Sequence, residues 1–219
     1  MTTNEQARFK PALGFSALTR LFDPVVAVVS RERTFKASVI AAARLAPGDA
    51  VLDLGCGTGT LALLAHAAAP AAHLTGFDAD PVVLASARSK AGRAAAEISF
   101  DQGMSTALPY ADASFDAVLS TLFFHHLSDA DKRRTATEVA RVLRPGGRLI
   151  VADLGRPQDR AMRVAVRVTT QLLDGTATTA SSVDGELPGM LTAAGLVGVT
   201  VVDRLRTPTG TIETVTARR

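Results

Sequence analysis

The sequence predicts a doubly wound α/β domain with a seven-stranded, mostly parallel sheet, and three observations predict it. Short apolar runs bounded by Gly, Pro or Asp alternate with longer helical segments from residue 47 to residue 155. A glycine-rich loop joins the first of these strands to the helix that follows. An acidic residue ends the second strand, roughly 20 residues beyond that loop.

The elements follow in order. Phe15, Leu18, Leu21 and Phe22 recur at helical spacing, and Asp23-Pro24 supplies an N-cap and a first-turn proline, so residues 9–46 read as helices. Pro47-Gly48-Asp49 turns into the strand Ala50–Leu54, and Leu61–Ala69 reads as the next helix. His73–Phe77 is a second strand, and Asp80-Pro81 opens a helix over Val82–Ala96. Ile98–Phe100 gives a third strand, Pro109 breaks the pattern, and Phe115–Thr121 gives a fourth. Ser128 or Asp129 caps a helix to about Leu143, and Pro145-Gly146-Gly147 turns into the strand Arg148–Leu154. Residues 157–196 read as helical or mixed. Thr200–Leu205 and Thr211–Arg218 then form two strands around Pro208-Thr209-Gly210, so the last strand is expected to run antiparallel.

Composition narrows the class. At 219 residues, 47% of them hydrophobic with mean hydropathy +0.20, the chain can bury a core and is not a disordered polymer. Only 5% are aromatic, with no Trp and one Tyr, so Ala, Val and Leu must fill the interior. The lone Cys56 excludes a disulfide framework, a Cys₄ zinc site and CxxC redox chemistry, and no metal site is expected. The first ten residues lack an apolar signal segment, and no apolar run approaches the ~20 residues of a membrane span. The expectation is a soluble cytoplasmic protein without stable membrane insertion. Net charge is +3 with a pI near 9.5, but no block of five like charges exists, which weighs against nucleic acid as partner.

The loop Asp53-Leu54-Gly55-Cys56-Gly57-Thr58-Gly59 and the acid Asp78 together imply a nucleoside-containing ligand. A dinucleotide loop would need glycine where Thr60 stands. The compressed G-x-G-x-G suits a ligand without a pyrophosphate, namely S-adenosylmethionine.

With these residues the chain resembles a class I S-adenosylmethionine-dependent methyltransferase of the small "type 11" kind, a Rossmann-like fold. Four stretches carry the resemblance: Val51–Gly59, Gly76–Asp78, Leu108-Pro109-Tyr110 with Ser114-Phe115-Asp116, and Arg141–Gly147. The resemblance implies that Asp53 reaches the methionine amino group and that Gly55, Cys56, Gly57 and Gly59 line the cofactor. Asp78, with Ala79 after it, would bind the ribose hydroxyls, and the Ser120 carbonyl would meet the amino group. Met104 stands where such enzymes place Asp or Asn against adenine, so the backbone of Met104 and Ser105 would read its edge.

Methyl transfer from a sulfonium is a displacement on an activated carbon, so positioning is most of the protein's task. His125 and His126, after the fourth strand, are the candidates for a general base. The alternative is that one caps the next helix while the other packs beside the cofactor. Phe15, Phe22, Phe123 and Phe124 are candidate substrate contacts. Arg156, Arg160, Arg163 and Arg167 share one helix face, which is either solvated or faces an anion. No Asn/Asp-Pro-Pro-Tyr/Phe follows the fourth strand, which disfavours nucleic-acid amines and protein glutamine as acceptors.

The reading is therefore a helical lid or extension over 1–46 and a cofactor-binding domain over 47–219. It would methylate an apolar or aromatic small molecule at O, N or C, and a homodimer is compatible with it. The alternatives are a cofactor-assisted cyclisation or rearrangement without methylation, and a non-catalytic cofactor-binding subunit.

Overall fold

The computed structural model describes residues 32–159, 162, 185–207 and 210–219. Helix α1 (Glu32–Ala43) precedes β1 (Ala50–Leu54), and α2 (Thr60–Ala68), β2 (His73–Asp78), α3 (Pro81–Arg93) and β3 (Ile98–Gln102) follow. After β4 (Phe115–Thr121) a single 3₁₀ turn (Phe124–His126) leads into α4 (Asp129–Val142) and β5 (Leu143–Gly155). Helix α5 (Leu187–Ala193), β6 (Val197–Thr207) and β7 (Gly210–Arg218) complete the described chain.

The seven strands lie in the order 3-2-1-4-5-7-6. Strands β1 to β5 are mutually parallel, and β7 runs antiparallel between β5 and β6, as expected for the last strand. The winding reverses between β1 and β4. Open sheets of this kind bind ligands at the carboxyl edge beside such a reversal.

Helices cover both faces, which explains the unbroken apolar runs of the central strands. Side chains alternate along β1, so Val51 faces one side and Leu52 and Leu54 the other. The Val51 side packs with Phe35 and Val39 of α1, Leu61 and Ala65 of α2, and Ala117, Leu119 and Ile150 of the sheet. The opposite side packs with Val139 and Val142 of α4, Leu187 and Leu191 of α5, and Leu149 and Val151 of β5.

Capping sets two helix starts. Asp80 Oδ1 accepts the Val82 N–H at 2.7 Å with Pro81 behind it, and Ser128 Oγ, not Asp129, accepts the Asp131 N–H at 3.2 Å. One boundary differs from the sequence pattern. Pro145-Gly146-Gly147 lies inside β5 rather than before it, as an irregularity between the pairs Phe115–Leu143 and Ala117–Arg148. The excursion is stitched to the C-terminus: Gly146 N–H donates to Arg219 O and Arg219 N–H to Gly147 O, both at 3.0 Å.

Of the segment expected to form a helical extension, α1 packs on the sheet, and residues 1–31 lie outside the described residues. Arg148, near the start of the regular β5 ladder, donates to the carbonyls of Ala43 and Arg44, while Ser38 Oγ donates to Asp203 on β6 at 3.0 Å. Asp203 aligns through Thr214 with Ala152, late in β5. Helix α1 therefore runs antiparallel to the parallel strands, and its first turn stands at their carboxyl edge.

Candidate functional site

Asp53 is the fourth residue of β1, on the same face as Val51 and beneath α1. It is 3% exposed, and neither carboxylate oxygen has a hydrogen-bond partner among the described residues. Burial pushes its carboxyl up to about 7, and Lys36 is the chief group pulling the other way; the Ala62 N–H helps from outside good hydrogen-bond geometry. Lys36, on the buried stripe Phe35-Lys36-Val39-Ala43 of α1, pairs with Glu32 one turn earlier.

The loop after β1 is tied down by Gly55 and Cys56, whose N–H groups both donate to Phe77 O. Its glycines have different reasons. A Cβ on Gly55 would lie 2.3 Å from the Phe123 ring, and one on Gly59 would meet Ala87 at 3.0 Å and Phe100 at 3.3 Å, so these two admit neighbouring side chains. Gly57, with φ +51°, opens onto free space. It is the loop position that a ligand can approach. Cys56 is buried, and burial together with the Asp53 and Asp78 charges pushes its thiol up, leaving it neutral and poorly nucleophilic.

Asp78 stands at the end of β2, across from the loop. Its Oδ2 accepts the Gly57 N–H at 2.8 Å and its Oδ1 the Asp80 N–H at 3.0 Å. Burial raises its pKa while these bonds and the Ala79 N–H oppose the rise. Each oxygen keeps a second lone pair for a ligand hydroxyl. Gly103 N–H donates to Asp78 O at 3.1 Å, which brings Met104 beside this edge, 39% exposed. Ser105 is buried with its hydroxyl committed to Thr135 at 2.8 Å, so only its backbone is left to face a ligand. Ser120 is likewise buried, its hydroxyl donating to Leu54 O at 2.8 Å.

The segment after β4 is organised by a residue the sequence reading missed, Asp153 of β5. Asp153 Oδ2 accepts the N–H of Phe123 at 3.1 Å and of His125 at 3.3 Å, and Oδ1 accepts the Leu154 N–H at 2.7 Å. His125 Nδ1 also reaches Oδ1, at 2.6 Å, with both side chains buried. Burial alone would raise the Asp153 carboxyl; the facing His125 and these donors outweigh it and hold it below the usual range. The available signal was a lone charge in the apolar run Leu149–Leu154. Lys36 left a similar signal, a charge at an apolar-spaced helix position.

His126 is exposed, its ring 3.9 Å from that of His125. Phe123 lies against Gly55, but Phe124 does not face a substrate. It is fully buried among Leu54, Val118 and Val139, because the 3₁₀ turn points it into the core. Phe15, Phe22, Arg160, Arg163 and Arg167 lie outside the described residues, and Arg156 is exposed just beyond β5. No group of three metal-ligating side chains exists, and no helix is long and apolar enough to cross a membrane, among the described residues.

Comparison with known proteins agrees with this geometry. Residues 51–147, from β1 into β5, match the family model of a methyltransferase domain. The demethylmenaquinone methyltransferase of Thermus thermophilus is 41% identical over 121 residues, 55% of this chain and 54% of that protein. The arsenite methyltransferase of Halobacterium salinarum is 34% identical over 164 residues, 74% of this chain and 41% of that protein. The chain spans about half the length of the curated relatives it matches. Among solved structures, the YcgJ protein of Bacillus subtilis shares the fold with a TM-score of 0.70 at 22% identity, over 84% of this chain and 97% of that one. The cyclase SpnF shares it with a TM-score of 0.65, also at 22% identity, over 85% and 80%. Through the methyltransferase domain at residues 51–147, with its glycine loop, its acid at the end of β2 and its 3-2-1-4-5-7-6 sheet, the chain is similar to the class I S-adenosylmethionine-dependent methyltransferases of the type 11 kind.

Proposed function

We propose that the chain transfers the methyl group of S-adenosylmethionine to an apolar or aromatic small molecule, at O, N or C, chiefly by holding donor and acceptor in line. The observation that carries this reading is Asp53, a buried carboxylate at the sheet's reversal with no hydrogen bond to either oxygen among the described residues. A fold does not leave a carboxylate in that state without cost, and a cationic ligand group would relieve it.

Asp53 would hold the cofactor's ammonium, assisted by the Ser120 carbonyl, and Asp78 would accept the ribose hydroxyls. Gly57 would let the backbone close on the ligand, and the main chain at Met104 and Ser105 would read the adenine edge. When bound, the cofactor supplies a methyl group already activated by its sulfonium. The remaining work is orientation and, where the attacking atom carries a proton, removal of that proton.

His125 is the group suited to take it. Asp153 accepts from Nδ1, which leaves Nε2 as the nitrogen with a free lone pair. His126, outside this pair, serves at most as its neighbour. We read residues 1–46 as the segment that shapes the acceptor side of the site.

Incubating the protein with methyl-labelled cofactor and a metabolite pool tests the reading. A labelled small molecule heavier by one methyl in place of a hydrogen is the expected product. A product of unchanged mass would replace transfer with rearrangement, and failure to bind S-adenosylhomocysteine would remove the cofactor site itself.

A further inference from the structure

We propose that Arg204, anchored by the buried Glu213, is an anion-binding residue on the acceptor side of the site, so that the molecule to be methylated carries a carboxylate. The inference rests on the transfer reading above and adds the acceptor's charge, which that reading leaves open.

The sheet register places Arg204 there. Asp153, Glu213 and Arg204 stand in one row across β5, β7 and β6, because Glu213 is the register partner of both others. Alternation along β7 turns Glu213 to the face of Val215 and Ala217, and alternation along β5 turns Asp153 to that same face with Leu149 and Val151. His125 meets Asp153 at one end of the row, and Arg204 stands at the other. With neighbouring strands about 4.8 Å apart, the row spans on the order of 10 Å, a distance that one small aromatic molecule with a substituent at each end can bridge.

The chain makes room for this pair. Glu213 is the one charge between Thr211 and Ala217, and it is buried. A Cβ on Gly155 would lie 2.2 Å from Glu213 Cγ, so β5 gives up a side chain to admit the carboxylate. Glu213 Oε1 accepts from Arg204 Nε at 2.9 Å, and the Arg204 side chain is 56% exposed against 7% for Glu213. Burying a carboxylate to meet an exposed guanidinium is a poor way to stabilise a sheet, since an apolar residue at 213 would avoid the desolvation. What the contact does is orient. With Nε engaged, the two terminal nitrogens of Arg204, which have no partner among the described residues, present the flat fork that pairs with a carboxylate. Arg206, two residues on along the same face, is instead paired with Asp159 at 2.6 Å.

The test sets two probes of one shape against the protein with S-adenosylhomocysteine bound: benzoate, and its neutral amide benzamide. An NMR titration is expected to show benzoate binding the wild-type protein at least about 10-fold more tightly than benzamide, the scale of one charge-assisted bond. Arg204→Met keeps an apolar stem and should bring the two probes to within two-fold of each other, and Arg204→Lys should recover part of the preference. Affinity for S-adenosylhomocysteine should stay within two-fold in both variants. Equal binding of the two probes by the wild-type protein would overturn the proposal, as would failure of benzoate to bind. A preference that survives in Arg204→Met would leave Arg204 a structural partner of Glu213 and overturn it too. Because Arg204→Met strands a buried carboxylate, the double variant Arg204→Met with Glu213→Gln removes both charges together, and it should lose the preference equally. Wild-type protein that does not bind S-adenosylhomocysteine would instead refute the cofactor reading on which the proposal stands.

Discussion

Asp53 and Asp153 are both buried carboxylates near the carboxyl edge of the same sheet, at 3% and 2% exposure, and they differ in nearly everything else. Asp153 is saturated: three backbone N–H groups and His125 Nδ1 converge on it. Asp53 has no hydrogen-bond partner among the described residues. The first carboxyl is held below its usual range by its partners, and the second is pushed up to about 7 by burial. Desolvation is common to both, so partners alone set the sign. One site spends its hydrogen-bonding capacity on the fold, fixing Phe123 and His125 after β4. The other leaves that capacity unused among the described residues.

The contrast can be broken most forcefully at Asp153. Removing a buried group that serves four donors strands all four, so Asp153→Ala should cost about 3–5 kcal/mol in denaturant unfolding. The linkage has a definite sign. Its lowered pKa contributes stability above the unfolded value near 4, and that stability is lost as pH falls through the still lower folded value. A loss below 1 kcal/mol would mean the network is decorative.

His125→Gln, which can keep a bond to Asp153, should fold and lower kcat about 100-fold or more if the acceptor must lose a proton. An unchanged kcat assigns His125 to the loop's architecture alone.

Asp53→Asn should weaken S-adenosylhomocysteine binding by about 10- to 100-fold. The same substitution should stabilise the empty protein at pH 8 by about 1–2 kcal/mol, roughly 2–8 °C in Tm. Here the sign is the reverse of Asp153. A raised carboxyl favours the folded state at low pH and withdraws that stability as pH climbs from about 4 to about 7, so the gain should shrink at pH 5 and vanish below about pH 4. Equal melting temperatures at pH 8 would show that Asp53 is not strained when empty.

The smallest effect is expected at the loop. Gly57→Ala meets no neighbour but must hold φ +51°, which costs roughly 1 kcal/mol, whereas Gly55→Ala must also displace Phe123. Melting curves of the two variants should rank in that order.

The sheet was legible because its signals are local and repeated. Apolar runs marked the five parallel strands, the turn at Pro208-Thr209-Gly210 marked the last pair, Asp80-Pro81 and Ser128 marked two helix starts, and Gly-x-Gly-x-Gly with Asp78 marked the carboxyl edge beside the sheet's reversal. The irregularity at Pro145-Gly146-Gly147 was not, because the sequence records a turn and only the pairing with Arg219 keeps it in the ladder. Phe124 read as a substrate contact because spacing cannot tell a ring at the carboxyl edge from one rotated into the core by a 3₁₀ turn. Asp153 and Lys36 escaped notice because their meaning is tertiary. Each is one charge in an apolar pattern: His125 lies 28 residues from Asp153, and Asp53, the carboxyl that the Lys36 charge pulls down, lies on another element.

The most direct test counts protons. Titration calorimetry of S-adenosylhomocysteine at pH 7, repeated in buffers of different ionisation enthalpy, measures protons released on binding. With its carboxyl near 7, the empty Asp53 is about half protonated, and a ligand ammonium would drive it to the ion. The wild-type protein should therefore release about half a proton more than Asp53→Asn. Equal proton release by the two proteins would contradict the claim that Asp53 is held unpaired for the ligand's cation.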